Sequence, residues 1–394
     1  MNREHAKQAK HILATALPII RSGRQRYGAA VLVMAPMFTA ENSGEGYMQR
    51  VAAIDGEILQ NRFAVYVDFE TKNENPTLVQ IGQRHLHITF PAHVPVFAKA
   101  ALRLAKACGL LYTHSVMRAM ADMVGRDIHR LYTARGITKI WDVHGCVPEE
   151  FALADNYYEA QNAGEAEALF IEQSDIIITV NHAMRRHLEE KYRTVLPNAI
   201  TLPIFSPAKA DLMALLQRKP DFAKPICVYA GGLQAWQNIP LMQDVVAQAG
   251  NAYQYKIFVP KPAEYTALWG ARVMPAQCEI ATKTPAEVLQ EYERCHFGFV
   301  LRDAITVNRV ACPTKLIEYL QYGIVPVLKT DEIGDFKAFG MRYITYERFM
   351  QGQICEADYR AMASENMLVL QKLLQAHDEG CAALLQRIAE LTKR

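Results

Sequence analysis

Lys315 and Glu318 stand three residues apart in Ala311-Cys312-Pro313-Thr314-Lys315-Leu316-Ile317-Glu318-Tyr319-Leu320, and Gly323-Ile324-Val325-Pro326-Val327 follows. The order reads as a loop, a helix begun by Pro313, a glycine stop and a buried strand. With Pro313 as first helical residue, Lys315 falls in the first turn, where the helix dipole already disfavours a cation. Lysine ahead of glutamate is also the weaker order for a helical ion pair. A positive charge at the positive end of a helix points to an anion, and a phosphate is the commonest one held there. The plain alternative is a solvated surface pair of little energetic weight.

Other residues nearby suit the same chemistry. Tyr229-Ala230-Gly231-Gly232-Leu233 closes a strand and turns toward a helix. Paired glycines such as Gly231 and Gly232 let backbone N–H groups approach a phosphate with no Cβ in the way. Arg302 follows the apolar run His296–Leu301; with Arg309 and Lys315 it makes three cations, opposed by Asp303 and Glu318. Asn308 and Thr314 offer neutral hydrogen bonds to a hydroxylated ligand. Earlier in the chain, Trp141-Asp142-Val143-His144-Gly145 ends a strand, and His144 there can donate to a substrate hydroxyl or act as a base. Glu149 and Glu150 follow Pro148, where acids suit the start of a helix as well as a site. The loop Asn42-Ser43-Gly44-Glu45-Gly46-Tyr47 could cover an acceptor, with Gly44 and Gly46 supplying its freedom; His85 and His87 alternate on a strand and read as structural.

These groups need elements to carry them. Short apolar runs alternate with helical patterns almost throughout, which argues for parallel sheets covered on both faces. In the first half the strands are expected at 29–35, 63–68, 85–90, 110–114, 137–143 and 175–180, with helices at 96–108 and 117–135 among them. Prolines 203, 207, 220 and 225 bracket a linker. Strands then recur at 226–230, 255–259, 278–281, 296–301, 325–329 and 343–346, and the tail from 357 is helical in pattern. The expected α/β architecture is two tandem Rossmann-like domains. Residues 1–205 form the first domain, 206–224 the linker, 225–356 the second domain, and 357–394 a helical segment returning toward the first. Ligands of such sheets lie beyond the carboxyl ends of the strands, which makes a cleft between the domains the default site.

Bulk properties narrow the class. At 394 residues the chain exceeds one ordinary hydrophobic core. It is 51% hydrophobic and 21% charged with a net charge of +2, so no nucleic-acid partner is expected. Its eight cysteines include no C-x-x-C pair, which reads as reduced thiols in a cytoplasmic setting and gives no metal-site spacing. The basic N-terminus with Ile12, Leu13, Ala16, Leu17 and Ile20 on one face reads as an amphipathic helix, bent at Pro18. Arg21, Arg24 and Arg26 stand where a signal-peptide cleavage site would be. Packing on its own domain is the plain use of that face; a peripheral contact with the inner membrane surface is the sharper one.

Taken together the chain resembles the GT-B glycosyltransferases, in particular the family-4 group of bacterial surface-glycan enzymes. In order, the likeness is carried by Gly44–Gly46, Asp142-Val143-His144-Gly145, Ser174–Val180, Leu196-Pro197-Asn198, Tyr229–Leu233 and Pro313–Leu320. The resemblance implies that Glu318 holds the ribose hydroxyls of a nucleotide-sugar. It implies that the glycine turn and neighbouring cations bind the diphosphate, and that His144 lies near the transferred sugar. Sugar would pass to a glycan or lipid-linked acceptor, with retention, without a metal and with no cofactor beyond the nucleotide-sugar substrate. Two positions depart from the pattern: Val310 stands where many members carry a second Glu, and the glycine turn has Gly232 and Gln237 in place of cations. Arg302 and Lys315 are the candidates to replace them. Other readings are a non-catalytic nucleotide- or glycan-binding subunit, a sugar-nucleotide epimerase, a dinucleotide oxidoreductase using Gly44, Gly46, Asp68 and Glu70, and a metal-dependent transferase using Asp68-Phe69-Glu70.

Overall fold

Fully apolar strands and amphipathic helices alternate along the chain, and each set closes into its own sheet. The computed structural model describes residues 3–39, 42, 46–117, 125–204 and 212–392. Gly44 of the loop 42–47, most of the linker's first half and part of the helix expected at 117–135 lie outside the described residues. The chain divides into two compact units, one of Met1–Leu202 with Asp378–Arg394 and the other of Pro203–His377.

The first unit holds an eight-stranded sheet: β1 (Ala30–Met34), β2 (Phe63–Glu70), β3 (Thr77–Ile81), β4 (His85–Pro91), β5 (Leu110–His114), β6 (Thr138–Val143), β7 (Ile176–Thr179) and β8 (Ala199–Thr201). The order is β3-β4-β2-β1-β5-β6-β7-β8. Only β3 runs antiparallel, against β4. β3 and β8 escape the sequence pattern for physical reasons. β3 is an exposed edge with mixed polarity, and β8 is three residues long and half-buried. The central strands are buried on both faces and so read as continuous apolar runs.

Seven described helices belong to this unit before the chain leaves it: α1 (Arg3–Tyr27), α2 (Gly46–Glu57), α3 (Pro95–Cys108), α4 (Gly125–Tyr132), α5 (Val147–Leu153), α6 (Tyr157–Gln173) and α7 (His182–Tyr192). α1 runs as one helix through Pro18 and buries Ala9, Ile12, Leu13, Ala16 and Ile20. It packs on α3 and β2. That corrects the idea of a membrane-facing helix, because the apolar stripe is spent inside the domain. Among the described residues no helix is long and apolar enough to cross a membrane.

The second unit holds a six-stranded sheet, all parallel: β9 (Ile226–Ala230), β10 (Gln254–Phe258), β11 (Cys278–Ala281), β12 (Phe297–Val300), β13 (Val325–Leu328) and β14 (Ile344–Thr345), ordered β11-β10-β9-β12-β13-β14. Every strand expected from the sequence appears in its place. The helices are α8 (Leu212–Arg218), α9 (Ile239–Ala249), α10 (Pro262–Ala267), α11 (Pro285–Tyr292), α12 (Thr306–Arg309), α13 (Thr314–Gln321), α14 (Phe336–Phe339), α15 (Tyr346–Met350) and α16 (Glu356–Thr392). The long α16 gives Tyr359, Ala363, Val369 and Leu373 to the cores of this unit. Its last turns give Leu384 and Ile388 to the first unit's core.

α13 is the element that matters most for the site. Pro313 proves to be its N-cap, extended at φ −68 and ψ 118, so Lys315 is the second helical residue. Leu316, Ile317, Tyr319 and Leu320 are buried. Tyr319 donates to the Val228 carbonyl at 3.3 Å, and a Cβ at Gly298 in the middle of β12 would run into its ring. The missing side chain on β12 is therefore what lets α13 lie down on the sheet.

Candidate functional site

Each sheet reverses its strand order at one point, and the polar residues gather there. In the second unit β9 lies between β10 and β12, so the turn after β9 and the loop after β12 border the crevice. Gly231 and Gly232 form that turn. The Gly231 amide donates to the Phe258 carbonyl at 3.0 Å, and the Tyr229 hydroxyl donates to the Gly232 carbonyl at 2.5 Å. A Cβ on Gly231 would sit 2.6 Å from Lys315 Nζ and 3.2 Å from Tyr229 Oη. A side chain at this position would push the lysine head away from the turn against which it rests.

Lys315 Nζ lies 3.9 Å from the centroid of the Tyr229 ring. It is shut off from solvent and has no hydrogen-bond partner among the described residues. Burial, with Arg302 close by, holds the ammonium pKa well below its ordinary value, and Glu318 only partly offsets this. Glu318 is one helical turn further on. Burial pushes its carboxyl up to about 7, against the pull of Lys315. The two groups thus share a region without neutralising one another, since neither gains enough from the other to recover its ordinary pKa.

The other predicted donor residues divide. Asn308 is fully buried; its Nδ2 donates to the Asp303 carbonyl at 2.9 Å while its Oδ1 has no partner among the described residues. Thr314 opens α13, whose N-terminus no side chain caps. Arg302 is half-buried and close enough to lower the pKa of Lys315 and to offset part of the rise that burial gives Tyr229. Arg309, counted from sequence with these cations, stands apart in an exposed ion pair with Glu332 at 2.8 Å. Asp303 is held by Lys329 and accepts weakly from Asn238 at 3.4 Å. Val310 is buried apolar core, and Gln237 is buried in a short 3-10 turn.

In the first unit β1 lies between β2 and β5, and β6 follows β5. Asp142, fully buried, receives Arg50 Nε on Oδ2 at 3.0 Å, Arg50 Nη2 on Oδ1 at 3.2 Å and the Tyr112 hydroxyl on Oδ2 at 2.9 Å. Burial alone would raise its pKa; Arg50 and the two imidazoles outweigh that and hold it far below the carboxylate range. His144 Nε2 and His114 Nδ1 each stand 3.6 Å from Oδ2 and 2.9 Å from each other. Tyr47 completes the group, its ring 4.9 Å from that of His144 and its hydroxyl 3.4 Å from the His114 carbonyl. Ser115, next to His114, takes φ 61 and donates its N–H to the Asp142 carbonyl at 2.9 Å. Sequence reading picks out His144, names Tyr47 only as the end of the loop 42–47, and misses His114 and Arg50.

His114, Asp142 and His144 lie close enough to hold a metal ion, their ligand atoms all within 4.8 Å of one another. Both oxygens of Asp142 are already engaged by donors, however, and the 2.9 Å separation of the imidazole nitrogens is that of a hydrogen bond. The cluster fits a hydrogen-bonded chain better than a metal.

Two acceptor-side residues go elsewhere. Glu149 pairs with His187 at 3.1 Å and Lys191 at 2.8 Å, and Lys191 also meets Glu167 at 2.7 Å. Burial would raise the Glu149 carboxyl, but those partners bring it down to about 2. Its charge is spent joining α5, α6 and α7 rather than facing a ligand. Gly46 is the first residue of α2. Asp68 accepts from the Phe69 amide at 3.0 Å and Glu70 is exposed, so the Asp68-Phe69-Glu70 run does not form a ligand set. His85 lies 3.1 Å from both Asp55 oxygens, a structural pair as expected.

Two Rossmann-like sheets in tandem, the first parallel but for its edge strand β3 and the second wholly parallel, define the GT-B fold. Solved structures agree. The α,α-trehalose 6-phosphate synthase of Burkholderia multivorans superposes with a TM-score of 0.62 at 13% identity, over 92% of this chain and 99% of that one. The sucrose-phosphate synthase of Thermosynechococcus elongatus gives 0.66 at 12% identity, over 93% and 99%. Anabaena HepE, solved with UDP and glucose, gives 0.65 at 11% identity, over 93% and 99%. No family model matches the sequence, and no curated protein does. At such identities the likeness establishes the fold.

Proposed function

We propose that the chain is a glycosyltransferase that moves a sugar from a nucleotide-sugar donor to a glycan or lipid-linked acceptor, in surface-polysaccharide assembly. One observation carries the donor half: Lys315 Nζ is buried against a glycine turn, beside Arg302, with no hydrogen-bond partner among the described residues. A solvent-excluded cation with no acceptor is costly, and an arriving anion removes the cost. The diphosphate of a donor would take the Lys315 ammonium, the Gly231–Gly232 turn and the open amides of α13 together. Glu318, one turn deeper, would accept the two ribose hydroxyls.

Catalysis in this reading is electrostatic. As the glycosidic bond to the leaving nucleoside diphosphate breaks, charge develops on its terminal phosphate, and preorganised donors there lower the barrier. Arg302, Lys315 and the first amides of α13 are those donors, and no step calls for a metal. His144 is assigned to a hydroxyl of the transferred sugar. Retention of anomeric configuration and the cytoplasmic setting are part of the same proposal, supported by the resemblance and by the scattered free cysteines.

The test is release of nucleoside diphosphate from a panel of uridine, guanosine, thymidine and cytidine nucleotide-sugars. Turnover of one class that is lost in Lys315→Ala and Glu318→Ala supports the assignment. Full turnover in an Arg302→Ala, Lys315→Ala double variant would sink the phosphate site. Donor binding with no turnover under any acceptor would favour the non-catalytic subunit.

A further inference from the structure

His114 ends β5 and has no role in the donor chemistry, yet it is fully buried and its Nδ1 lies 2.9 Å from His144 Nε2. One proton joins the two rings, and the surroundings decide whose it is. Facing them are Asp142 from β6, Tyr112 from β5, and Arg50 and Tyr47 from α2. Asp142 Oδ2 is equidistant, 3.6 Å from each nitrogen, and so does not choose. The far side of His114 does. His114 Nε2 is buried and has no hydrogen-bond partner among the described residues. If that nitrogen carried the hydrogen, an N–H would be orphaned in the interior, the rarer and costlier kind of unsatisfied group. With the hydrogen on Nδ1, only a lone pair is left bare. His114 then donates from Nδ1 to His144 Nε2. Burial holds the His114 pKa well below its ordinary value, so this ring carries one hydrogen, and the cost of an orphaned N–H puts it on Nδ1. His144 accepts at Nε2, and its own hydrogen must sit on Nδ1, where no hydrogen bond is formed among the described residues.

We propose that His114 is a positioning residue that fixes His144 as the Nδ1–H tautomer, so that His144 meets a hydroxylated ligand as a hydrogen-bond donor and not as a base. The part concerning a ligand rests on the glycosyltransferase reading; the tautomer does not. In a transfer that needs only a stabilised leaving group, a fixed donor to a sugar oxygen is the useful form. Asp142 and Arg50 set the frame: the carboxylate, pinned by the guanidinium, keeps a negative potential behind the shared proton.

Histidine-selective nitrogen-15 labelling tests this on the whole protein. Long-range proton–nitrogen correlations of His144, assigned with His144→Gln, should show a protonated Nδ1 and a pyridine-type Nε2. His114→Asn keeps an N–H near the Nδ1 position and should preserve that pattern. His114→Leu should release His144 to the Nε2–H form that free histidine prefers. In turnover, His114→Leu should lower kcat at unchanged donor KM, and His114→Asn should restore it. A protonated Nε2 on His144 in the unmodified chain overturns the proposal. So does an unchanged His144 pattern in His114→Leu, or loss of the inter-ring hydrogen bond on adding equimolar zinc. Should His114→Leu not fold, the unmodified protein and His114→Asn still decide the matter. If no nucleotide-sugar is turned over while the tautomer is as stated, the transferase reading falls and the positioning role stands.

Discussion

The two strand-end clusters handle charge in opposite ways. In the first unit a buried carboxylate is met by a bidentate guanidinium, a phenol and two imidazoles, so Asp142 is paired and ionised. In the second unit a buried ammonium and a buried carboxyl sit one helical turn apart with their ordinary pKa values disturbed in the unfavourable direction, Lys315 down and Glu318 up. The first cluster is a paired network around Asp142 that adjoins one partly exposed histidine, His144. The second holds charges left without hydrogen-bond partners or in disturbed states among the described residues, and it is on this disturbance that the proposed donor site rests.

Breaking the paired network should have the largest effect. Arg50→Met leaves Asp142 as an uncompensated buried charge, and the expected loss is about 3–5 kcal/mol of folding stability, read from denaturant unfolding. A loss below about 1 kcal/mol would mean that Asp142 is not ionised, and the contrast between the clusters would dissolve.

Lys315→Met should do the reverse. Removing a cation with no acceptor is expected to raise stability by about 0.5–2 kcal/mol, while turnover falls by about 10²–10³, the usual worth of one transition-state donor. Thermal unfolding and donor kinetics on the same variant check both signs. A destabilised Lys315→Met would show that the ammonium is structurally paired after all.

The pH dependence of stability separates the clusters further. Glu318 has a folded pKa of about 7 against an ordinary 4.5. Between those values the folded protein binds more protons than the unfolded chain, so stability falls as pH rises from 4.5 to 7 and stays at the lower level above. Lys315, depressed, works the other way: the unfolded chain binds more protons above the folded pKa, and stability recovers toward the alkaline side. Glu318→Gln should flatten the fall between pH 4.5 and 7 when unfolding midpoints are compared across pH. An equal slope in the variant would remove Glu318 as the titrating group.

How much of this was legible in the sequence follows from the same physics. Strands buried on both faces announce themselves as apolar runs, whereas the exposed edge β3 and the brief β8 do not. Lys315 and Glu318 stand out because their order defies the helix dipole, a local signal. His114, Arg50 and Tyr47 depend on pairing between strands and on the seating of α2, which no local pattern carries. A faint trace exists: Tyr112-x-His114 and Asp142-x-His144 share the two-residue period of adjacent strands, and His114 pairs with Asp142 in register. Seeing it requires knowing that β5 and β6 are neighbours. Arg309 is the converse case, a cation near the site in sequence and away from its chemistry in space.

That case yields the smallest effect and the sharpest limit on the second cluster. Arg309 and Glu332 are both about half exposed, at 53% and 48%. Such pairs are screened by water and salt and contribute about 0–1 kcal/mol. Arg309→Ala should therefore shift stability by no more than about 0.5 kcal/mol and leave donor affinity unchanged at physiological ionic strength, measured by calorimetric titration with a nucleoside diphosphate. Lys315→Met under the same titration should weaken binding strongly. The difference is one of dielectric: the charge on Lys315 is felt because water is excluded around it, and that on Arg309 is not. Were Arg309→Ala to cost as much affinity as Lys315→Met, the cation field would be a diffuse surface property, and the buried lysine would lose its special place in the donor site.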